Sequence, residues 1–277
     1  MLACQSFGAR PFPIILGYVD FRTRRQLAVI AAVGVVAVGV FWFLLRGVLP
    51  EPSCADGRRN QGEERVDCGS PCLPCVLREE RAFEVFWVRH VQVRANTYDV
   101  AAEVKNPNVR LGAAAVPYEF KLFDTVGVAV ASRRGLMFVY PGEAFHIAEV
   151  GLTSARTIRN ATLTFGRPAW VVTEDVGPDV IAGGKAYAVE GERGEEQSVV
   201  TAVVSNRTLG FIRDIAVIAL AFDSDGNLLG AHRTIIAELP AGAQQPVKFV
   251  WPTVFKTAAA SVVVETRSPA HLTPSGP

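Results

Sequence analysis

The hydrophobic pattern divides the chain into two unequal parts. The first is an uncharged run of 19 residues, Leu27–Leu45, preceded by Arg22, Arg24 and Arg25 and followed by Arg46. Beyond it, apolar and polar residues alternate with a period of two, in short runs that end at Gly, Pro, Asn or Asp. The first pattern predicts a helix long enough to cross a bilayer core of about 30 Å, and the second predicts β-strands.

We predict a transmembrane helix over residues 26–48, in which Leu27, Val36, Trp42 and Leu45 belong to the membrane anchor. Arginines just before the run favour a cytoplasmic N-terminal tail, residues 1–25, and an extracytoplasmic remainder. Arginines beyond the run weaken that asymmetry. A cleavable signal peptide is the competing interpretation, but the run is long for one and no small-x-small cleavage site follows it.

The region after the anchor predicts a mainly β fold with no long helical stripe. Its strands form two series, each bounded by turn residues, as expected for β-sandwiches. The first series is Phe83–Val91, Tyr98–Lys105, Val116–Asp124, Ala129–Phe138, Phe145–Val150 and Ala161–Phe165; the second is Lys185–Glu190, Ser198–Val204, Ile215–Asp223, Leu228–Ile236, Pro246–Trp251 and Ser261–Glu265.

The two series have the character of an internal repeat. Matching positions follow the same order, including an Asn turn, an Asp–Gly hairpin and a Pro turn. Val100, Ala102, Val104 and Asn106 recur as Val200, Ala202, Val204 and Asn206, and Phe123, Asp124, Gly127, Arg134 and Pro141 recur as Phe222, Asp223, Gly226, Arg233 and Pro240. We therefore predict two tandem immunoglobulin-like β-sandwich domains, 80–166 and 168–267, and a disordered tail, 268–277.

The segment Phe120-Lys-Leu-Phe-Asp124 resembles the signature of the FxLYD domain, a small β-sandwich of bacterial surface proteins, with Phe in place of Tyr. The second copy keeps Phe222-Asp223 and the Gly226 hairpin. The resemblance implies an extracytoplasmic immunoglobulin-like fold and supplies no catalytic residues.

Four cysteines lie close together just after the anchor: Cys54, Cys68, Cys72 and Cys75. Clustered cysteines outside the cytoplasm predict two disulfides that stabilise a segment, residues 51–78, too small for its own core. Three pairings are possible. Closure within Cys72–Cys75 would be strained or redox-active, which favours the other two. A four-thiolate zinc site is an alternative, although one CxxC pair is present where zinc knuckles usually have two.

The same segment resembles a short module of bacterial envelope proteins, C-x-D-G-x-x-N-x-x-E-x-x-x-D-C-G-G-x-C, with Ser70 in place of the second Gly. Its marked polar residues, Asp56, Asn60, Glu63 and Asp67, could supply oxygen ligands to calcium. The alternative is a turn-rich loop in which these side chains bind their own backbone.

Nothing in the sequence indicates catalysis. His90, His146, His232 and His271 are far apart, and the motifs of hydrolases, nucleotide-binding loops and zinc enzymes are missing. The net charge of +1 gives no reason to expect nucleic acid. We predict a non-enzymatic protein without a cofactor or small-molecule substrate, whose partners are the lipid bilayer and an unknown envelope protein. The alternatives are an accessory subunit or assembly factor of a membrane complex, and a metal- or redox-active protein using the four cysteines.

Overall fold

The structure is a computed structural model that describes residues 20–48 and 53–269. Its first element is an α-helix, α1 (Phe21–Val48), which begins five residues before the predicted anchor. Residues 21–45 are long and apolar enough to cross a membrane, and none of this segment is buried against the rest of the chain. The anchor side chains Leu27, Val36 and Trp42 are all more than half exposed. Such a surface is expected of a helix whose surroundings are lipid.

The rest of the described chain is mainly β, which confirms the predicted fold class. A single 3-10 turn, Cys75–Arg78, precedes the strands. These are β1 (Glu84–Arg94), β2 (Thr97–Lys105), β3 (Leu111–Asp124), β4 (Ala129–Val139), β5 (Ala144–Thr153), β6 (Ile158–Phe165), β7 (Trp170–Val172), β8 (Val180–Glu190), β9 (Gln197–Asn206), β10 (Ile212–Phe222), β11 (Leu228–Leu239), β12 (Gln244–Trp251) and β13 (Ser261–Arg267).

The strands form four antiparallel sheets with matching orders. In the first half the orders are β1-β2-β5 and β4-β3-β6, with the short β7 added to β3. In the second half they are β8-β9-β12 and β11-β10-β13. Each strand from β8 to β13 therefore takes the place that β1 to β6 take in the first half. This agreement extends the repeat from the sequence to the topology.

The repeated asparagines make corresponding contacts in both halves, and Asn206 makes one more, to the carbonyl of Pro240 at 3.0 Å. The side-chain amide of Asn106 donates to the carbonyls of Leu111, at 2.7 Å, and Tyr140, at 2.9 Å. That of Asn206 donates to Gly210 at 2.8 Å and Leu239 at 2.9 Å. Both residues are buried. Each one satisfies carbonyls from two separate loops, which explains why the repeat retains a polar residue inside the fold.

The repeated aspartates close the hairpins between β3 and β4 and between β10 and β11. Asp124 accepts hydrogen bonds from the backbone N–H groups of Val126, at 3.0 Å, and Val128, at 2.9 Å. Asp223 accepts from Asp225 at 2.9 Å and Asn227 at 2.8 Å. These are turns in which the Asp side chain binds its own backbone, as Asp–Gly sequences favour.

Three apolar clusters hold the sheets together in four layers. One lies between the two sheets of the first half and another between the two sheets of the second. The third joins the halves: it contains Ala101 from β2 and Ala148 from β5, and Ile218, Leu220 and Phe222 from β10. The sheet β1-β2-β5 and the sheet β11-β10-β13 are thus covered on both faces.

The alternating pattern did not indicate this double burial. It predicts strands with one buried face, yet β10 is buried almost continuously from Ile215 to Phe222. Strand β7 was not predicted either; it lies within the range of the second predicted domain but pairs with β3 of the first half. Ser268, the first residue of the predicted tail, is buried and hydrogen-bonded, and the tail from residue 270 lies outside the described residues. The division into two domains stays a prediction.

Candidate functional site

The four cysteines form two disulfides in the structure, Cys54–Cys72 and Cys68–Cys75. This is one of the two pairings that the sequence favours. Cys68 and Cys75 are buried, whereas Cys54 lies at the surface. In this pairing no thiolate is left among these four residues, so the structure describes a cross-linked module rather than a four-thiolate zinc site.

The predicted calcium residues lie together in this module. The carboxylates of Asp56, Glu63 and Asp67 accept hydrogen bonds from the chain itself, whereas the side-chain oxygen of Asn60 is buried and has no hydrogen-bond partner among the described residues. Asp56 accepts from the amide of Asn60 at 2.7 Å and from the N–H of Arg58 at 2.8 Å, and these bonds lower the pKa of Asp56. Asp67 accepts from the N–H of Gly57 at 3.0 Å. The buried Glu63 accepts from the N–H of Asp67 at 3.0 Å. Such bonds are what a turn-rich loop requires, and calcium binding stays a prediction.

One group among the described residues brings three possible metal ligands together: Cys54, Glu63 and Cys72. Its two sulfur atoms are bonded to each other. The Glu63 Oε1 lies 3.2 Å from the Cys72 Sγ, but a disulfide sulfur carries no proton and cannot donate to the carboxylate. The group therefore offers one free ligand rather than three.

The junction between the halves has a polar rim that sequence reasoning missed. Arg267, at the end of β13, donates to both carboxylate oxygens of Glu143 in the turn after β4, each at 2.8 Å. A third bond reaches the carbonyl of Phe138 at 2.7 Å. The guanidinium also lies 3.9 Å from the ring centre of Phe145. A bidentate, ring-stacked arginine of this kind orients two surfaces as well as attracting them.

A histidine and a glutamate add to the same rim. The Nδ1 of His146, in β5, lies 2.7 Å from a carboxylate oxygen of Glu265, in β13. A carboxylate can only accept, so Nδ1 carries the proton.

The other predicted histidines lie away from this rim. His90 and His232 are half-buried, and burial lowers the pKa of both. The fourth, His271, lies outside the described residues.

A cavity of about 430 Å³ opens between the halves, at the end where β1 turns into β2. We call it the junction cavity. Its apolar wall includes Val93, Trp251 and Phe255, and the exposed cations Arg94 and Lys256 lie at its edge. Cavities of this size, mostly apolar with a few polar groups, are typical of small-ligand sites. The junction cavity can hold an apolar group and favours a negative charge beside it.

Asp99 is buried close to this cavity, on the face of β2 that meets the second half. Burial raises the pKa of its carboxyl to about 6, and the N–H of Gly151, which donates to it at 3.0 Å, opposes that rise. Arg94 and Trp251, both part of the cavity lining, act on the carboxyl in the same direction as Gly151. Asp99 is therefore a buried carboxyl beside the cavity whose pKa lies in the mildly acidic range.

The sequence carried one signal for this junction. The run Ile215–Phe222 has no polar residue, and a continuous apolar strand is typical of a sheet buried on both faces. Nothing in the run indicates which surface covers it, so Arg267 and Glu143 could not be paired from the sequence.

Comparisons with known proteins place the chain in no family. No family model matches it, and no curated protein matches it. Among solved structures, the N-terminal CBM22-1-CBM22-2 tandem domain from Paenibacillus barcinonensis Xyn10C aligns over 70% of this chain and 88% of its own, with 8% identity. Its TM-score of 0.15 is too low to support any inference about this chain.

Proposed function

We propose that the chain is a single-pass membrane protein with a non-catalytic binding or structural role in the cell envelope. In this proposal residues 1–25 lie in the cytoplasm, α1 crosses the bilayer, and the β region lies outside the cytoplasm. The role is carried by surfaces that the two packed halves hold in place, and not by a catalytic centre.

The observation that carries the proposal is the pair of disulfides that follows α1. Cys54 comes six residues after Val48, and its module closes Cys54–Cys72 and Cys68–Cys75. Disulfides persist in oxidising compartments and are rare in the cytosol. A chain that changes from lipid-compatible helix to cross-linked loop within a few residues is best explained by a membrane crossing at that point.

The chain supplies its own control for this topology. Cys4 is the one cysteine before α1, so a membrane-impermeant maleimide can distinguish the two sides. When the maleimide is added to intact cells whose membrane surface it can reach, we expect it to label no cysteine of this chain, because the four module cysteines are disulfide-bonded. After an impermeant reductant, we expect labelling of the four module cysteines but not of Cys4. Cys4 should react after lysis, and a Cys4→Ser variant should lose that signal. Labelling of Cys4 in intact cells would contradict the proposal.

The junction cavity supports a binding role, and the proposed partner is an envelope protein. A photoreactive amino acid at Val254, which lines the cavity and is 39% exposed, should cross-link a partner in native membranes. Val128, 49% exposed in the hairpin after β3, is the matched control. We expect a discrete cross-linked product from Val254 but not from Val128. Equal products, or none from Val254, would count against the cavity as the contact site.

A further inference from the structure

Four loops of the β region meet at the end that adjoins the cysteine module. Asn108, in the loop after β2, exchanges hydrogen bonds with the backbone of Arg81, at 2.7 and 2.8 Å, where the chain leaves the module. The neighbouring loop is tied on by the N–H of Thr173, which donates to the carbonyl of Arg110 at 3.0 Å. The N–H of Arg207 in turn donates to Asp179 at 2.9 Å. These bonds place the loops after β2, β7 and β9 side by side.

The second half reaches this same end by an independent route. Tyr140, in the turn after β4, donates its hydroxyl to the carbonyl of Ser268 at 2.8 Å. Ser268 donates to the carbonyl of Arg213, at the start of β10, at 2.7 Å. The β9–β10 loop of the second half is therefore at the module end of the molecule, although it is more than a hundred residues from the module in sequence.

Apolar side chains point into solvent on three of these loops. Val109, Val176, Leu209 and Phe211 are 75%, 86%, 103% and 57% exposed. Single exposed apolar residues are ordinary, but these four share one end of the molecule. Other loops are polar, such as Asp223–Asn227 and the charged Gly191–Glu196, whereas the single hairpin between β3 and β4, at the opposite end of the first half, exposes Val126 and Val128. We call the four residues the apolar loop surface.

The membrane is close to this surface. Ser53 follows Val48, the last residue of α1, by five residues, and five residues span at most about 18 Å. The module between Ser53 and Arg81 is held compact by two disulfides and contacts the loop after β2. A lipid surface is therefore the apolar phase nearest to the exposed side chains.

We propose that the apolar loop surface rests on the bilayer, with Leu209 and Phe211 inserted among the lipid headgroups. The inference depends on α1 crossing a membrane and not on the direction in which it crosses. Exposed charges at this end include both signs, among them Arg110, Arg207, Glu174 and Asp175. The contact therefore requires no anionic lipid, and a zwitterionic phosphatidylcholine surface suffices. Short loops with apolar tips bind the headgroup region through the apolar area they bury there.

The test places a tryptophan at each end of the full-length chain. Leu209→Trp reports on the apolar loop surface, and Val126→Trp, 78% exposed in the hairpin at the opposite end, is the matched control. Each variant is reconstituted in phosphatidylcholine vesicles with and without bromine on the acyl chains. The unsubstituted chain provides the signal of native tryptophans, including Trp42 in α1, which is subtracted. Thermal unfolding confirms that both variants fold, and Phe211→Trp replaces Leu209→Trp if the latter does not.

We expect the added tryptophan at position 209 to lose emission in brominated vesicles and to emit at shorter wavelength than in detergent. Bromines near the headgroup should quench it more than bromines deep in the chains. The tryptophan at position 126 should show neither change. Quenching at position 209 no greater than at position 126 would overturn the proposal, since the surface would then face water or protein.

Discussion

Strands β3 and β10 occupy the same place in the two halves, but the outer face of β3 is exposed to solvent whereas that of β10 is buried. Glu119 and Lys121 on β3 face solvent and bind each other at 3.3 Å. The positions with the same register on β10 are Ile218 and Leu220, which are buried between the halves. The same strand position can therefore face solvent in one half and lie buried between the halves in the other, according to whether it carries charged or apolar residues.

The difference also explains the asymmetry of the assembly. The first half contributes its β1-β2-β5 sheet to the junction, whereas the second contributes its β11-β10-β13 sheet, which is not the equivalent one. A head-to-tail contact of this kind could continue into a longer stack if the outermost sheets were also apolar. Charged residues such as Glu119 and Lys121 on the outer face of β3 oppose such a continuation.

The largest change in the free energy of unfolding is expected from exchanging a charged and an apolar residue between these two faces. Leu220→Lys introduces the residue that β3 has at the equivalent position, and it buries an amine in the apolar junction. We expect it to lower the free energy of unfolding by about 4 kcal/mol, measured by denaturant titration of the full-length chain in nanodiscs. Lys121→Leu, the reverse change on β3, should alter it by about 0.5 kcal/mol or less. Similar changes in the free energy of unfolding from both variants would show that the two faces do not differ in burial.

The second prediction separates the ion pair of the junction from an ordinary surface pair. Arg267 is 9% exposed and its partner Glu143 21%, whereas Arg213 and Glu238 are 65% and 50% exposed. Arg267→Met leaves the largely buried Glu143 carboxylate without its cation, with only the N–H of Tyr140, among the described residues, still donating to it at 2.9 Å, and we expect a loss of about 3 kcal/mol. Arg213→Met should cost about 0.5 kcal/mol or less. The same denaturant titration tests both, and equal losses would mean that Arg267 acts as a surface residue.

The third prediction concerns what the two halves share. Asn106→Ala and Asn206→Ala each leave buried carbonyls without donors, so each should lower the free energy of unfolding by about 2 kcal/mol. The two losses should agree to within about 1 kcal/mol, because the two asparagines bond corresponding loops and differ only in one further carbonyl at Asn206. Asn160→Ala, on a polar face of β6, provides a control for the loss of an amide that makes no such link. Losses that differ by more than about 1 kcal/mol would indicate that the two loops are held differently.

Features of the fold that depend on neighbouring residues could be predicted from the sequence, whereas those that depend on distant residues could not. Alternation and turn residues act locally, so the strands, the Asn106 and Asn206 turns and the Asp–Gly hairpins could be predicted. The disulfide pairing depends on how the module folds, so the sequence left two favoured choices. The partner of the run Ile215–Phe222 depends on a surface more than sixty residues away, and no local pattern encodes it.

The last prediction distinguishes the two halves by how the free energy of unfolding depends on pH. Asp99 faces the junction on β2, and its equivalent on β9 is Val199, which cannot titrate. Burial raises the pKa of Asp99 to about 6, above that of an unfolded aspartate, about 3.9. The folded chain therefore binds more protons than the unfolded chain between these values, and the free energy of unfolding falls as the pH rises through that window.

Asp99→Asn keeps an oxygen for the N–H of Gly151 but removes the titration. We expect the variant to be more stable than the parent by about 2 kcal/mol at pH 7.5. That advantage should shrink below pH 6 and vanish near pH 4, where Asp99 is protonated in both states. Denaturant titrations of both proteins from pH 4 to 7.5 measure the difference directly. Val199→Asn, made in the second half, should show no change of its effect across that range. A constant difference between parent and Asp99→Asn would mean that the carboxyl keeps its ordinary pKa, and that the junction is open to water at this point.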